Sequence, residues 1–228
     1  DWVGLYVRLK IEETPDFLRV VNHRQRVKIP VVTVFTRHTK TIFLGTAVTI
    51  TTFLLFYIMT VFTLSWGTSA LHYPRESFLI AQMISMVFFA AGIPVSAMLA
   101  DRRGRNNVLI ASSLGIFILG LFFAPLFTTG SLIVIVAFQS MGMLLMGLNY
   151  RPIGTALAQI FPAEVRYTGA SLAFTLAGIL GASLTPYFAT TLATNYGLSY
   201  VGYYLSLGAA LSIVALLAAR PLMRDPVT

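Results

Sequence analysis

Six apolar stretches of about twenty residues follow one another along the chain, and they constrain its fold more than any other feature. At 1.5 Å per residue, about twenty helical residues cross a hydrocarbon core of roughly 30 Å. Only helices and closed barrels satisfy their backbone in lipid, and continuous apolar runs exclude the alternating pattern of a barrel. We therefore predict six transmembrane helices, over Thr41–Trp66, Phe78–Ala100, Val108–Phe127, Leu132–Ile160, Gly169–Thr194 and Tyr200–Ala219.

The amino-acid composition favours the same class. Hydrophobic residues make up 57% of the chain and charged residues 11%, which would leave a soluble domain of this size with too little polar surface to cover it. An all-α integral membrane fold is therefore predicted. The chain has no cysteine, and its three histidines are far apart in the sequence. No metal site, no resident cofactor and no catalytic cluster of an enzyme is predicted.

The basic residues sort by membrane side. Fourteen of the sixteen Lys and Arg residues lie before the first span, between the second and third, after the fourth or after the sixth. The opposite connections carry only Arg75, and Arg151 lies inside the fourth span. The positive-inside rule therefore predicts that both ends of the segment are cytoplasmic. Membrane lipid, and not nucleic acid, is the partner that this charge distribution predicts.

Composition divides the chain into four parts. Residues 1–9 are typical of the last turns of an earlier transmembrane helix, and the charged residues 10–40 predict a cytoplasmic linker. Within it, the Thr-Pro pair at residues 14–15 predicts a short amphipathic helix on the membrane surface; the alternative is a solvated connector with some apolar anchoring. Residues 41–219 form the six-helix transmembrane bundle, and residues 220–228 form a cytoplasmic tail. We expect the chain to begin in mid-protein.

Small and polar side chains follow one face of the first, second, fourth and fifth spans. In the second span they are Gln82, Ser85, Phe89, Gly92 and Ser96, and in the fifth Ser171, Thr175, Gly178, Ala182 and Thr185. We infer that these four spans face protein or water and that the third and sixth face lipid. The alternative is that small residues only let helices pack closely.

Arg151 is the most informative single residue. A cation near the centre of a membrane helix costs about 2.5 kcal/mol or more, so the protein must compensate for it. One interpretation is a clamp for an anionic substrate, because a guanidinium offers bidentate hydrogen bonds; the alternatives are snorkelling to the interface or pairing with a carboxylate elsewhere. The candidate substrate-binding residues are Gln82, Gln139, Asn149, Tyr150 and Arg151, with Tyr57 and Thr175 as weaker candidates.

The connection between the second and third spans carries a recognisable pattern, from Ala97 through Asp101-Arg102-Arg103-Gly104-Arg105 to Asn107. It resembles the cytoplasmic loop signature of the major facilitator superfamily, with alanine in place of the first glycine and asparagine in place of the last basic residue. Asp101 would oppose a helix N-terminus while the arginines bridge to carboxylates, which would hold the cytoplasmic side closed. The alternative is a tight basic turn that only fixes topology.

A second segment, Phe161–Ser171, resembles the connection between the tenth and eleventh helices of the metabolite:proton symporter subfamily, and residues 4–17 resemble the exit from its sixth helix. This resemblance implies the C-terminal half of a twelve-helix major facilitator fold, with a missing N-terminal six-helix half as partner. Arg151 stands where the subfamily has the glycine of a Tyr-Gly-Pro. The implied cytoplasmic gate is Asp101, Arg102, Gly104, Arg105, Glu164 and Arg166.

The function predicted is secondary active transport of a small polar metabolite across the bacterial inner membrane by alternating access. The resemblance implies an organic acid or zwitterion as the substrate and the proton as the coupling ion. All eight acidic residues lie outside the predicted spans, so an intramembrane carboxylate relay cannot be built from this segment. A six-helix scaffold or a homo-oligomeric channel is the alternative, and a membrane enzyme would need a cluster of catalytic groups that the sequence lacks.

Overall fold

The computed structural model describes residues 30–222. The predicted end of a preceding helix at residues 1–9, the amphipathic helix near residue 14 and most of the tail lie outside the described residues. Within them the chain is helical without a strand. The helices are α1 Pro30–Arg37, α2 Thr39–Ser69, α3 Arg75–Arg103, α4 Arg105–Leu121, α5 Phe123–Phe127, α6 Leu132–Ile160, α7 Arg166–Tyr196 and α8 Leu198–Ala219.

Five of the described helices are long and apolar enough to cross a membrane, namely α2, α3, α6, α7 and α8. They correspond to the first, second, fourth, fifth and sixth predicted spans. The third span differs, because it is divided at Phe122 into the 17-residue α4 and the short α5. Pro125 explains the break, since the proline ring clashes with the carbonyl of Leu121, the residue four positions earlier.

Two of the long helices contain a π-helical segment, which the sequence analysis did not predict. In α2 it covers Ile58–Phe62. The hydroxyls of Thr60, inside the segment, and of Thr63, directly after it, each donate a 2.6 Å hydrogen bond to the carbonyl four residues earlier. Such bonds compete with the helix's own ladder and bend it. In α7 the segment is Ile179–Ser183, followed by Pro186, which has no N–H for the carbonyl of residue 182.

Glycine lets α3 and α6 approach each other closely. A Cβ on Gly92 would lie 2.8 Å from the carbonyl oxygen of Leu144 and 3.0 Å from the Cα of Gly147. Ser85 and Ser96, on the same stripe of α3, are also buried. At Gly92 the stripe predicted in the second span therefore packs against α6, as expected if its small residues let helices approach closely.

The core has two clusters, which mark the two ends of the bundle. One is rich in phenylalanine, with Phe62, Phe78, Phe123 and Phe127 fully or almost fully buried. The other lies towards the end where the basic residues cluster and includes Leu109, Ile153, Phe161 and Leu216. We call the second end the basic end; α3, α6 and α8 finish there, α2, α4 and α7 begin there, and the described arginines at this end are Arg37, Arg102, Arg103, Arg105, Arg166 and Arg220.

The helices differ in how much surface the described residues leave uncovered. In the most apolar eighteen-residue window, 61% of residues are buried in α2 but only 22% in α3 and 33% in α7. The sixth predicted span, α8, is 50% buried, the same as α6. Burial within this half therefore does not separate lipid-facing from pathway-facing helices, and that division stays a prediction.

Candidate functional site

Arg151 lies inside α6, nine residues before Ile160, which places its Cα ~14 Å along the helix from the basic end. Its side chain is exposed and has no hydrogen-bond or ion-pair partner among the described residues. It borders a cavity of about 420 Å³ between α3 and α6, lined by Ser96, Ala97, Ala100, Asp101, Arg105, Arg151, Pro152 and Thr155.

This cavity joins residues that the sequence analysis assigned to two different sites. Arg151 was predicted to bind substrate, whereas Asp101 and Arg105 were predicted to form the cytoplasmic gate. They share a cavity because α3 and α6 run in the same direction and cross at Gly92 and Gly147, each just before the cavity begins. The crossing was not identifiable from the sequence, although the small residues that permit it were.

The two residues before Arg151 point in different directions. Tyr150 is 48% exposed, and its ring lies edge-on to the Phe89 ring of α3, with 5.6 Å between centroids. Asn149 is buried, with 2% of its surface exposed. Successive residues of an α-helix are ~100° apart around the axis, so a run of three polar residues cannot share one face. Tyr150 and Arg151 both lie on the side of α6 that faces α3, and Asn149 faces the interior of the bundle.

Gln82 and Gln139 converge on the π-helical segment of α2. The Gln139 amide is fully buried, and its Nε2 donates to the Thr63 hydroxyl at 2.9 Å and to the Met59 carbonyl at 3.3 Å. The Gln82 amide donates to the carbonyl of Thr60. Both glutamines were predicted to bind substrate, and the structure gives both a backbone partner in α2.

The two weaker candidates lie on other helices. Tyr57 is half-buried at the start of the π-helical segment of α2, with its ring edge-on to Phe56 at 5.5 Å. Thr175 is exposed on α7. The predicted substrate residues therefore separate into a group at the π-helical segment, an exposed pair on α6 and an exposed residue on α7.

The predicted gate residues all lie at the basic end. Asp101 and Arg102 are exposed in the last turn of α3, and Gly104 turns the chain into α4 with a φ of +82°. Glu164 is exposed in the connection between α6 and α7, and Arg166 begins α7. Two of the predicted gate residues, Asp101 and Arg105, line the same cavity as Arg151.

The chemistry available at this cavity is recognition of charge. A guanidinium offers a planar fork of N–H donors to a carboxylate or phosphate, and the carboxylate of Asp101 can compete with such a ligand for it. Within residues 30–222, no group of three or more histidine, aspartate or glutamate side chains is placed to hold a metal ion. The cavity therefore presents charged groups of both signs, a carboxylate and guanidinium groups.

Apolar helices of membrane-spanning length, packed around a cavity that exposes a guanidinium, define a multi-pass membrane protein. The chain belongs to the major facilitator superfamily, whose sequence profile matches residues 5–186. The predicted fold, a C-terminal six-helix half of that superfamily, is confirmed, and because the family consists of transporters the chain is not an enzyme.

Bacterial relatives match the chain almost from end to end. It is 43% identical over 220 residues to the inner membrane metabolite transport protein YhjE of Escherichia coli, covering 94% of this chain and 50% of the relative. It is 30% identical to the Escherichia coli shikimate transporter, with coverages of 97% and 51%. It is 28% identical to a proline/betaine transporter of Salmonella typhimurium, with coverages of 93% and 44%. The chain spans about half the length of these relatives.

Proposed function

We propose that this chain is half of a secondary transporter that imports a small carboxylate-bearing metabolite, an organic acid or a zwitterion, across the bacterial inner membrane together with protons. It works by alternating access against an N-terminal six-helix half. The observation that carries the proposal is the exposed guanidinium of Arg151 in the cavity that also contains Asp101.

An exposed arginine at this depth needs a polar environment. Its Cα lies ~14 Å inside α6, where a cation facing lipid costs about 2.5 kcal/mol or more. A water-filled pathway between two halves provides the required hydration, and the uncovered surfaces of α3 and α7 provide a face for the second half. Both ends of this segment are then cytoplasmic, in agreement with the distribution of its basic residues.

The substrate class follows from the ligand that suits a guanidinium. Relatives of this chain are named for shikimate and for proline and betaine. Each of these molecules carries a carboxylate, which is the group that an arginine binds with two parallel hydrogen bonds. We therefore assign Arg151 to the substrate carboxylate and Tyr150, its exposed neighbour, to the remainder of the substrate.

Asp101 gives the same cavity a gating function. Without substrate, its carboxylate can act as a counter-ion for Arg151, with which it shares the cavity, and pairing would draw the ends of α3 and α6 together. A substrate carboxylate would compete for Arg151 and release this contact. The group that carries the coupling proton belongs to the other half, because the acidic residues of this segment lie outside the predicted spans.

Uptake into membrane vesicles tests the proposal. Cells would express the protein as its gene encodes it, and vesicles would be offered labelled shikimate, proline, betaine and a neutral sugar, with and without a protonophore. We expect uptake of at least one carboxylate compound, no uptake of the sugar and loss of accumulation with the protonophore. Arg151→Ala should lower kcat/KM by about tenfold or more, and Arg151→Lys by less, since it keeps the charge but not the planar fork.

Arg103→Ala is the matched control, because it removes an exposed arginine at the same end that does not line this cavity. Normal uptake by Arg151→Ala at normal membrane abundance would refute the assigned role of the guanidinium. Uptake that ignores the protonophore would refute proton coupling. Equal uptake by residues 1–228 alone would instead favour a homo-oligomeric channel.

A further inference from the structure

A second cavity, of about 520 Å³, opens between α2 and α3 towards the end of the bundle opposite the basic end. We call this end the outer end, because the distribution of basic residues predicts that it faces away from the cytoplasm. The described walls of the cavity include Thr60, Ser65 and Thr68 of α2 and Arg75 and Gln82 of α3. It shares no described wall residue with the cavity between α3 and α6.

Arg75 gives this cavity a guanidinium. It begins α3, its side chain is exposed, and its guanidinium has no hydrogen-bond or ion-pair partner among the described residues. Of the lysines and arginines within residues 30–222, it alone lies at the outer end. The positive-inside rule places basic residues at the opposite end, so it does not account for this one.

Hydrogen-bonding groups follow Arg75 into the cavity. The exposed Ser65 of α2 contributes a hydroxyl to its wall. Gln82 lies seven residues after Arg75, which is ~10 Å further along α3. Its amide donates to the carbonyl of Thr60 in the π-helical segment of α2. The cavity therefore extends from a guanidinium at the outer end to an amide two turns deeper in the bundle.

One face of α3 connects this cavity with the cavity of Arg151. Residues seven apart lie nearly above one another on a helix, and one such series in α3 is Arg75, Gln82, Phe89 and Ser96. The first two line the outer cavity, and Ser96 lines the cavity of Arg151. Between them, the Phe89 ring packs edge-on against Tyr150, the neighbour of Arg151. The two cavities therefore lie along the same side of α3, with an aromatic pair between them.

We propose that Arg75 is an outer binding site for the carboxylate of the substrate, which then passes along this face of α3 to Arg151. The inference rests on the proposed function, because its ligand is the imported carboxylate-bearing metabolite. The rise along α3 from Arg75 to Ser96 is ~32 Å, so a small metabolite cannot contact both guanidiniums at once. Arg75 binds the carboxylate with two parallel hydrogen bonds and raises the concentration of the anion at the outer entrance.

Initial rates of uptake into right-side-out vesicles containing the full-length protein test this site. The labelled compound is whichever of shikimate, proline and betaine the unchanged protein accumulates. Arg75→Gln should raise KM about fivefold or more and change kcat by less than about twofold, because only capture from outside is lost. Arg75→Lys, which keeps the charge but not the planar fork, should recover part of the loss. Added sodium chloride should raise the KM of the unchanged protein more than that of Arg75→Gln.

A relocated charge is the matched control. Asn195 is exposed near the end of α7, at the outer end, and does not line the cavity. Combining Arg75→Gln with Asn195→Arg restores the charge of the outer end but not the guanidinium in the cavity, so KM should stay raised. A KM restored by this combination would overturn the site, because general attraction would then suffice. An unchanged KM for Arg75→Gln at normal membrane abundance would also overturn it, and would assign the arginine to lipid headgroups or to the other half.

A labelling experiment separates failure of the outer site from failure of the proposed function. Ser65→Cys, in full-length protein freed of other cysteines, would be labelled from outside with a membrane-impermeant maleimide. The transported compound should slow this labelling severalfold, also in the presence of Arg151→Ala, and Arg75→Gln should remove the protection. Protection that survives Arg75→Gln overturns the outer site alone. If the unchanged protein imports none of the carboxylate compounds, the proposed function fails and the outer site fails with it.

Discussion

Gln139 of α6 donates a 2.9 Å hydrogen bond to the hydroxyl of Thr63, the residue that follows the π-helical segment of α2. That hydroxyl in turn donates to the carbonyl of Met59, which lies 3.3 Å from the same glutamine nitrogen. The π-helical segment is thus held by a buried side chain from another helix. Such segments occur often at functional sites, and this one has a defined point of attachment.

Loss of this attachment should impair transport more than stability. Gln139→Leu removes hydrogen bonds of a kind that contributes about 0.6 to 1.7 kcal/mol inside membrane bundles. It also removes the buried Oε1, which has no partner among the described residues, so the net loss of unfolding free energy should be about 1 kcal/mol or less. Uptake should fall severalfold, because the π-helical segment of α2 loses its hydrogen bonds to α6. Denaturant unfolding and vesicle uptake would measure the two effects.

A double-mutant cycle supplies the control for that prediction. Thr63→Val removes the same inter-helix bond from the other side, so the double variant should lose little more uptake than either single variant. Fully additive losses would mean that the two residues act independently, and would contradict the proposed link.

Gln82 attaches the same segment to α3. Measuring uptake at several pH values tests whether position 82 must carry an uncharged hydrogen-bond donor. Its amide donates to the Thr60 carbonyl, whereas the carboxylate introduced by Gln82→Glu would present a second acceptor to that carbonyl. At neutral pH this variant should transport less than Gln82→Leu. Protonation restores a donor, so its uptake relative to the unchanged protein should recover as pH falls towards the glutamate pKa of about 4.3. A ratio that stays constant with pH would exclude this hydrogen bond as the cause.

Much of this fold could be predicted from the sequence, because span length and apolar runs are local properties. All six predicted spans correspond to helices, and the break at Phe122 is the main departure in secondary structure. Pro125 accounts for this break, and Pro186 accounts for the end of the π-helical segment of α7 before Thr185. The π-helical segment of α2 was not predicted, because threonine hydroxyls that bond within their own helix occur in regular α-helix as well, as at Thr49.

The site could be predicted only in part, because it depends on how helices meet. Arg151 was identified because a cation inside a membrane span costs free energy, and its position within the span can be seen in the sequence alone. Its proximity to Asp101 depends on the crossing of α3 and α6, and the two residues are far apart in the sequence. Gln82 and Gln139 were identified as polar groups inside spans, but the sequence contains no signal that they bind α2 backbone instead of solvent.

The glycine at the α3–α6 crossing should be intolerant of any side chain. A Cβ on Gly147 would collide with the carbonyl of Phe89 and lie 2.9 Å from the Cα of Gly92, and backbone cannot move aside as a side chain can. Gly147→Ala should therefore cost about 1 to 3 kcal/mol of unfolding free energy. Gly154→Ala, in the same helix with nothing within 4 Å, should be neutral or stabilising by up to about 1 kcal/mol. Equal effects of the two substitutions in thermal unfolding would refute the close crossing.

Gly104 provides a test of whether the turn between α3 and α4 serves transport as well as folding. Its φ of +82° is unfavourable for any residue with a Cβ, and so is the φ of +75° at Gly130. Neither position is crowded, so Gly104→Ala and Gly130→Ala should each cost about 1 to 2 kcal/mol from backbone strain alone. Only Gly104→Ala should also reduce uptake, because strain relieved at residue 104 moves Asp101 relative to Arg105. If both variants show equal stability loss and unchanged uptake, the turn at Gly104 has a folding role only.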